Sequence, residues 1–211
     1  APALANSWRT TGDIEPRWAS IQRNFWQNQQ HRSRAKPGSW CDPDMLEVGN
    51  GDMSDDENRA HFSLWCLAKA PLLLGNDLTT MTDAVKDVIT NTRLIAVNQD
   101  LNAPMADCFE GCSEDANYSV LATTVTNGDT VVVAVNWRST TRSPSLLPSW
   151  TIGVVPGPNE RILVKDLWAK KNDDACRVSD DTLLQIPELA PHSCVVYQLS
   201  IVDKEDVTAD K

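Results

Sequence analysis

Two short stretches of this 211-residue chain carry residues that could do chemistry. In NSWRTTGDIEPRW, residues 6–18, Arg9 and Asp13 stand four apart with Gly12 just before the acid. A strand ending in a glycine turn would point Asp13 into a cleft, with Arg9 in reach of an anionic or hydroxylated ligand. The plainer alternative is a surface ion pair, or an N-cap aspartate ahead of a helix from Pro16. In GSWCDPDM, residues 38–45, Asp42 and Asp44 flank a proline, with Trp40 and Met45 as apolar neighbours. Three chemistries fit this pattern. Asp42 could accept in an Asx turn, the pair could hold a divalent metal for nucleotide-sugar transfer, or the acids could bond sugar hydroxyls. The metal reading wants a nucleotide-binding domain upstream and a glycine-rich phosphate loop, and no such loop is present. Sugars offer many hydroxyls and apolar C–H faces, so acids beside Trp40 and Met45 suit them. Eight tryptophans agree with this, although a core can also use them.

Together the stretches point toward glycoside hydrolysis. That reaction needs one carboxyl to protonate the leaving oxygen and a second as nucleophile or base, about 5 Å apart in retaining enzymes and farther in inverting ones. Asp13, Asp42 and Asp44 all fall near predicted ends of strands, where α/β barrels place their chemistry.

The elements around them change character near residue 102. Before it, SDDENRAHFSLWCLAKAP opens with a capping box, Ser54 at the N-cap and Glu57 three residues on. Phe62, Trp65, Cys66 and Lys69 follow at helical spacing. Pro71 ends that helix, Leu72 to Gly75 reads as a short, fully buried strand, and Val85, Val88 and Ile89 mark another helix. This rhythm predicts an α/β unit over 1–101. After it, two β-branched runs around Asn127-Gly128 predict a hairpin. ERILVKDLW, TLLQIP and SCVVYQLS add strands, so 102–203 is expected to be an antiparallel β domain, with 204–211 a polar tail that frays.

A net charge of −10 with scattered basic residues argues against nucleic acid. No apolar run approaches the roughly 18 residues that span a bilayer, and APALANSW does not read as a signal peptide. Of six cysteines, Cys66 reads as a free core thiol. Cys108 and Cys112 are close enough for a small disulfide loop, and Cys176 and Cys194 could pair across late strands. With the sequon at Asn117, this favours an oxidising compartment. The histidines at 31, 61 and 192 lie far from any paired cysteines, so neither metal nor cofactor is expected.

NSWRTTGDIEPRW, PGSWCDPDMLEVGNGDMSDDENRAHFSLWCLAKAPLLLGNDL and VITNTRLIAVNQDLN closely resemble the α-galactosidases (melibiases) of glycoside hydrolase family 27. VVVAVNWR, VKDLWA and LAPHSCVVYQL resemble that family's C-terminal β domain. The resemblance implies the last three βα units of a (β/α)8 barrel followed by an antiparallel β-sandwich. It implies a retaining mechanism on terminal α-D-galactosides, in a secreted or lysosomal/vacuolar setting. Asp13 would be the general acid/base, Arg9 a sugar contact, and Asp44 and Met45 the pocket lining, with Trp40 and Asp42 as supporting neighbours. The family's nucleophile motif has no counterpart in this chain, so a second polypeptide or an upstream segment would complete the barrel. Cys41 stands where the family usually has Asn, a thiol in place of an amide, and predicts an altered pocket floor. That departure also allows a non-catalytic, sugar-binding derivative within a larger assembly. Preference for α-N-acetylgalactosaminides over galactosides would be set by a loop the chain lacks.

Overall fold

The computed structural model describes residues 4–169, 176–179 and 182–205. Its first part alternates strand and helix: β1 (Ser7–Arg9), α1 (Trp18–Gln29), β2 (Trp40–Asp42) and α2 (Asp55–Leu67). β1 and β2 are parallel, with Ser7 opposite Trp40 and Arg9 opposite Asp42. Parallel neighbours require a crossover, and α1 supplies it. A parallel bridge between Leu46 and Leu74 brings a third segment alongside, followed by α3 (Asp83–Ile89) and α4 (Thr92–Gln99). These three βα units form an arc of a (β/α)8 barrel.

Local sequence explains the helix starts. Ser54 Oγ accepts from Glu57 N at 3.2 Å while Glu57 Oε2 accepts from Ser54 N at 2.8 Å, closing the capping box of α2. Three acids in the first turn complement the helix dipole. RLIAVNQD lies in its own helix, α4, because Asn91 Oδ1 caps the amides of Arg93 and Leu94. One expectation fails. Leu72–Gly75 is not a fully buried strand: only Leu74 forms a bridge, and Leu73 and Leu74 are 61% and 42% exposed. Among the described residues, no strand covers its far side, so side chains that a closed barrel would bury face outward.

The second part is built on β3 (Asp107–Glu110), β4 (Tyr118–Thr124), β5 (Thr130–Asn136), β6 (Ser145–Pro148), β7 (Glu160–Asp166), β8 (Cys176–Ser179), β9 (Leu183–Ile186) and β10 (Cys194–Asp203). Six strands form one antiparallel sheet in the order β3-β4-β5-β10-β7-β8, and β6 pairs with β9 in a smaller one. The β4–β5 hairpin turns at Asn127-Gly128, where Gly128 has φ +90°. Every residue of β5 is buried. Val131, Val133 and Val135 pack with Trp18, Phe25 and Trp65 of the helices, whereas Val132 and Ala134 pack with Leu147 and Leu184 of the small sheet. The large sheet is therefore sandwiched on both faces, which is why β5 reads as a continuous apolar run rather than an alternating one.

The seam between the two parts is aromatic and hydrogen-bonded. Trp18 lies 5.5 Å from Trp137 and donates its Nε1–H to the Trp137 carbonyl. Trp168 Nε1 donates to Ser63 Oγ at 3.0 Å, and Arg93 donates to the Asp166 and Ala169 carbonyls. His192 Nδ1 meets Glu57 Oε1 at 2.6 Å while its ring stacks on Trp18. Four tryptophans, at 18, 26, 65 and 137, are core residues rather than sugar platforms. Lys69 is buried in left-handed conformation, φ +56°, just past α2. Its ammonium donates to the Val97 and Asp100 carbonyls at 2.6 and 2.7 Å, ending α4.

Cysteine pairing divides. Cys108 and Cys112 are bonded, and Cys66 is a free buried thiol as its pattern predicts. The expected Cys176–Cys194 bond does not form, because Cys194 is free, with its sulfur 3.6 Å from Ser63 Oγ. Cys176 sits opposite Lys165, which sits opposite Gln198, so the two cysteines lie two strands across and four residues along. That separation exceeds the Cα–Cα reach of a disulfide, about 7 Å. The Cys176 side chain and most of the 204–211 tail lie outside the described residues.

Asp100 ties the end of α4 to the β4–β5 turn. Its carboxylate accepts from the Thr126 hydroxyl and from the amides of Thr126, Asn102 and Ala103. These bonds, led by the Thr126 hydroxyl, hold its pKa down at about 2 against an ordinary 3.8. The folded pKa is the lower one, so the stabilisation is present above pH 4 and is lost as pH falls toward 2. Asp100→Asn should cost about 1 kcal/mol at neutral pH, modest because solvent screens the site. It should also remove part of the acid-side decline in urea unfolding between pH 4 and 2. An unchanged profile would refute this role.

Candidate functional site

The parallel register sets the site. Because Arg9 pairs with Asp42, the loops leaving β1 and β2 emerge side by side. Arg9 spans them: its Nη2 lies 2.7 Å from Asp44 Oδ2 and 3.3 Å from Asp13 Oδ1, and it donates to the Gly12 carbonyl at 2.9 Å. One guanidinium thus gathers both acids that the motifs singled out. Their surroundings differ. The Asp13 side chain is fully exposed at 100%, whereas that of Asp44 is 12% exposed.

Asp44 is also a structural cross-link. Its Oδ2 accepts from Ile14 N at 2.9 Å and its Oδ1 from Met45 N at 2.8 Å. Its backbone lies at φ +87°, a region that costs a non-glycine residue about 1–3 kcal/mol. Two bonds from its own neighbourhood hold it there. Asp42 Oδ1 accepts from Asp44 N at 2.9 Å, the Asx turn that the motif allowed, and Trp65 Nε1 donates to the Asp44 carbonyl at 2.8 Å. Met45 is 39% exposed next to Gly75, where a Cβ would come within 2.9 Å of the Leu46 carbonyl oxygen, a backbone atom that cannot step aside as the Met45 side chain can, so glycine is favoured there.

The structure therefore gathers Arg9, Asp13, Asp42, Asp44 and Met45 at one end of the strands. Trp40 stands apart, lining a cleft of about 320 Å³ near Asn6, Ser7 and Leu72. Cys41 lies on the opposite strand face from Trp40 and Asp42. It is buried, with its thiol 3.5 Å from the His31 carbonyl, and burial pushes its pKa up. Its thiol is directed at the turn that follows α1, and its hydrogen bond goes there rather than to Asp13, Asp44 or Met45.

Sequence patterns gave no role to the residues beneath the acids. Thr10 Oγ1 donates to Asn28 Oδ1 at 2.6 Å, anchoring the Asp13 loop to α1. His61 accepts from Glu47 N at Nε2 and packs edge-on against Trp65, 4.2 Å between centroids, supporting the 44–47 turn from α2. The signal available was polar residues on buried helix faces, which helical periodicity locates but does not interpret. Full burial lowers the His61 pKa from 6.5 to about 3. It is neutral in the fold with its proton on Nδ1, so the unfolded chain takes up the proton first and stability falls as pH drops from about 6.5 toward 3. The contribution is up to about 1.4 kcal/mol per pH unit. Urea unfolding at pH 4, 5 and 6 should show this slope, and His61→Gln should flatten it. An identical slope in the variant would sink the assignment.

Comparison with known proteins agrees across both parts of the chain. The family model described as alpha galactosidase A matches residues 2–100, and the alpha galactosidase C-terminal beta sandwich domain matches 115–199. An α-galactosidase of Oryza sativa subsp. japonica is 37% identical over 201 residues, covering 95% of this chain and 45% of the relative. That of Cyamopsis tetragonoloba is also 37% identical, over 95% of this chain and 46% of its own length. The crystal structure of α-galactosidase I from Mortierella vinacea superposes with a TM-score of 0.76 at 25% identity, over 94% of this chain and 54% of that one. The chain spans about half the length of the curated relatives it matches. With both its barrel arc and its β-sandwich matched, the chain belongs to the α-galactosidase (melibiase) family, glycoside hydrolase family 27, as a C-terminal portion.

Proposed function

We propose that this chain is the acid/base-bearing part of a retaining glycoside hydrolase acting on terminal α-D-galactosides, with 1–101 as the barrel part and 102–203 as the β domain. The observation that carries this reading is Arg9 bonded to both Asp13 and Asp44 at the strand ends. Asp13 gives a proton to the glycosidic oxygen as the C–O bond breaks. A carboxylate from the rest of the barrel attacks the anomeric carbon, and Asp13 then takes a proton from the water that releases the sugar. A general acid works best when burial or a neighbouring charge tunes it. Asp13 is bare here, so the remaining strands would supply that cover.

Asp44 has capacity left for a sugar. An ionised carboxylate accepts about four hydrogen bonds, and Ile14, Arg9 and Met45 use three. The spare lone pair on Oδ1 suits a galactose hydroxyl, with Met45 as the apolar wall. Asp42 supports the pocket through its turn, whereas Trp40, on a separate cleft, has no part in it. Because Cys41 lies on the helix side, it gives no reason to prefer a non-catalytic derivative.

The partner is a second polypeptide or an upstream segment carrying the other barrel strands. The exposed Leu73 and Leu74 support this, as does the greater length of the relatives. The Cys108–Cys112 disulfide and the exposed sequon residue Asn117 fit a secreted or vacuolar/lysosomal setting. No helix among the described residues is long and apolar enough to cross a membrane.

With the barrel completed, Asp13→Asn should lower kcat for an aryl α-galactoside by about 100-fold or more, because the step in which water releases the sugar needs Asp13 as base even where the leaving group needs no proton. Turnover at the wild-type rate would end the assignment. The chain by itself should show no turnover, and addition of the upstream barrel segment should restore it.

A further inference from the structure

Helix α1 buries polar residues at Ser20, Asn24 and Asn28, one helical turn apart and fully enclosed. A buried amide is costly unless its atoms find partners, and Asn24 is satisfied throughout. Its Nδ2 donates to the Gly12 carbonyl and the Pro43 carbonyl, both at 3.1 Å, and to Thr11 Oγ1 at 3.3 Å, while its Oδ1 accepts from Arg23 Nε. Gly12 immediately precedes Asp13, and Pro43 immediately precedes Asp44. One side chain on a rigid helix thus holds the peptide ahead of each acid.

Its neighbours on the helix grip only one loop. Asn28 Oδ1 accepts from Thr10 Oγ1, and Ser20 Oγ accepts from Glu15 N. Asn24 alone among the three crosses to the 43–44 turn. Arg9 also bridges the acids, but through a long, partly exposed side chain that can swing.

We infer that Asn24 is a positioning residue, setting the spacing between the proton donor Asp13 and the sugar-binding Asp44. The inference rests on the roles proposed above for those two acids. Small displacements of a catalytic group are expensive in rate, about 100-fold for 1 Å, and Asn24 controls a displacement between two loops rather than within one.

The test compares substrates that differ in their need for the acid. On the chain with its barrel complement bound, kcat/KM is measured for 4-nitrophenyl and methyl α-galactoside, per folded molecule. The nitrophenolate departs without a proton; methoxide does not. Asn24→Ala should cost about 100-fold on the methyl glycoside and about tenfold or less on the aryl one. Equal losses would mean that Asn24 only supports the fold, overturning the inference. If that variant does not fold, Asn24→Ser keeps a polar group on the helix but is too short to bond both carbonyls, so it should shift the ratio the same way by about tenfold or more, and an unchanged ratio would likewise overturn the inference. Asp13→Asn, run alongside, separates the two claims. If it leaves both rates unchanged, the reading of the acids fails and the inference falls with it.

Discussion

Burial of the large β-sheet on both faces is the constraint on which the rest depends. Antiparallel sheets often keep one wet face, but β5 cannot, since its odd-numbered valines pack under α1 and α2 while its even-numbered residues pack under the small sheet. The division between hydrophobic clusters therefore runs through the plane of the sheet and not along the chain boundary near residue 102. The barrel helices and the β domain share one core. Trp18 and Phe25 of α1 and Trp65 of α2 are fixed from behind by Val133, Val135 and Trp137, and those two helices hold the loops that carry the acids.

Seen this way, the site is a surface feature with deep roots. Asp44 sits in a strained conformation, held by an indole from α2, an Asx turn from β2 and an amide from the Asp13 loop. Each bond alone is worth about 1 kcal/mol, comparable with the strain. Together they leave the turn one accessible geometry. His61 and Glu47 continue the support beneath it, trading acid stability for a neutral imidazole acceptor where a charged one could not serve.

Much of this was legible where the governing interactions are local. The capping box at Ser54 and Glu57, the Asn127-Gly128 hairpin and the Asx turn at Asp42 each depend on residues a few positions apart, and each is present. What failed depends on distant partners. Leu72–Gly75 has a buried strand's composition, but burial needs a neighbour on each side. Cys176 and Cys194 lie in strands, yet their register is set by how β7, β8 and β10 align, which spacing does not encode. Cys41 is adjacent in sequence to the residues at the acids, but strand alternation sends it to the opposite face from Trp40 and Asp42. Asn24 carries no local signal that sets it apart from the other polar residues of α1. Its meaning lies in two carbonyls contributed by separate loops.

The exposed pair Leu73 and Leu74 has a consequence for association. Extended backbone bridged on one side only, at Leu74, and flanked by exposed leucines is a place where another strand can add, including one from a second copy of the chain.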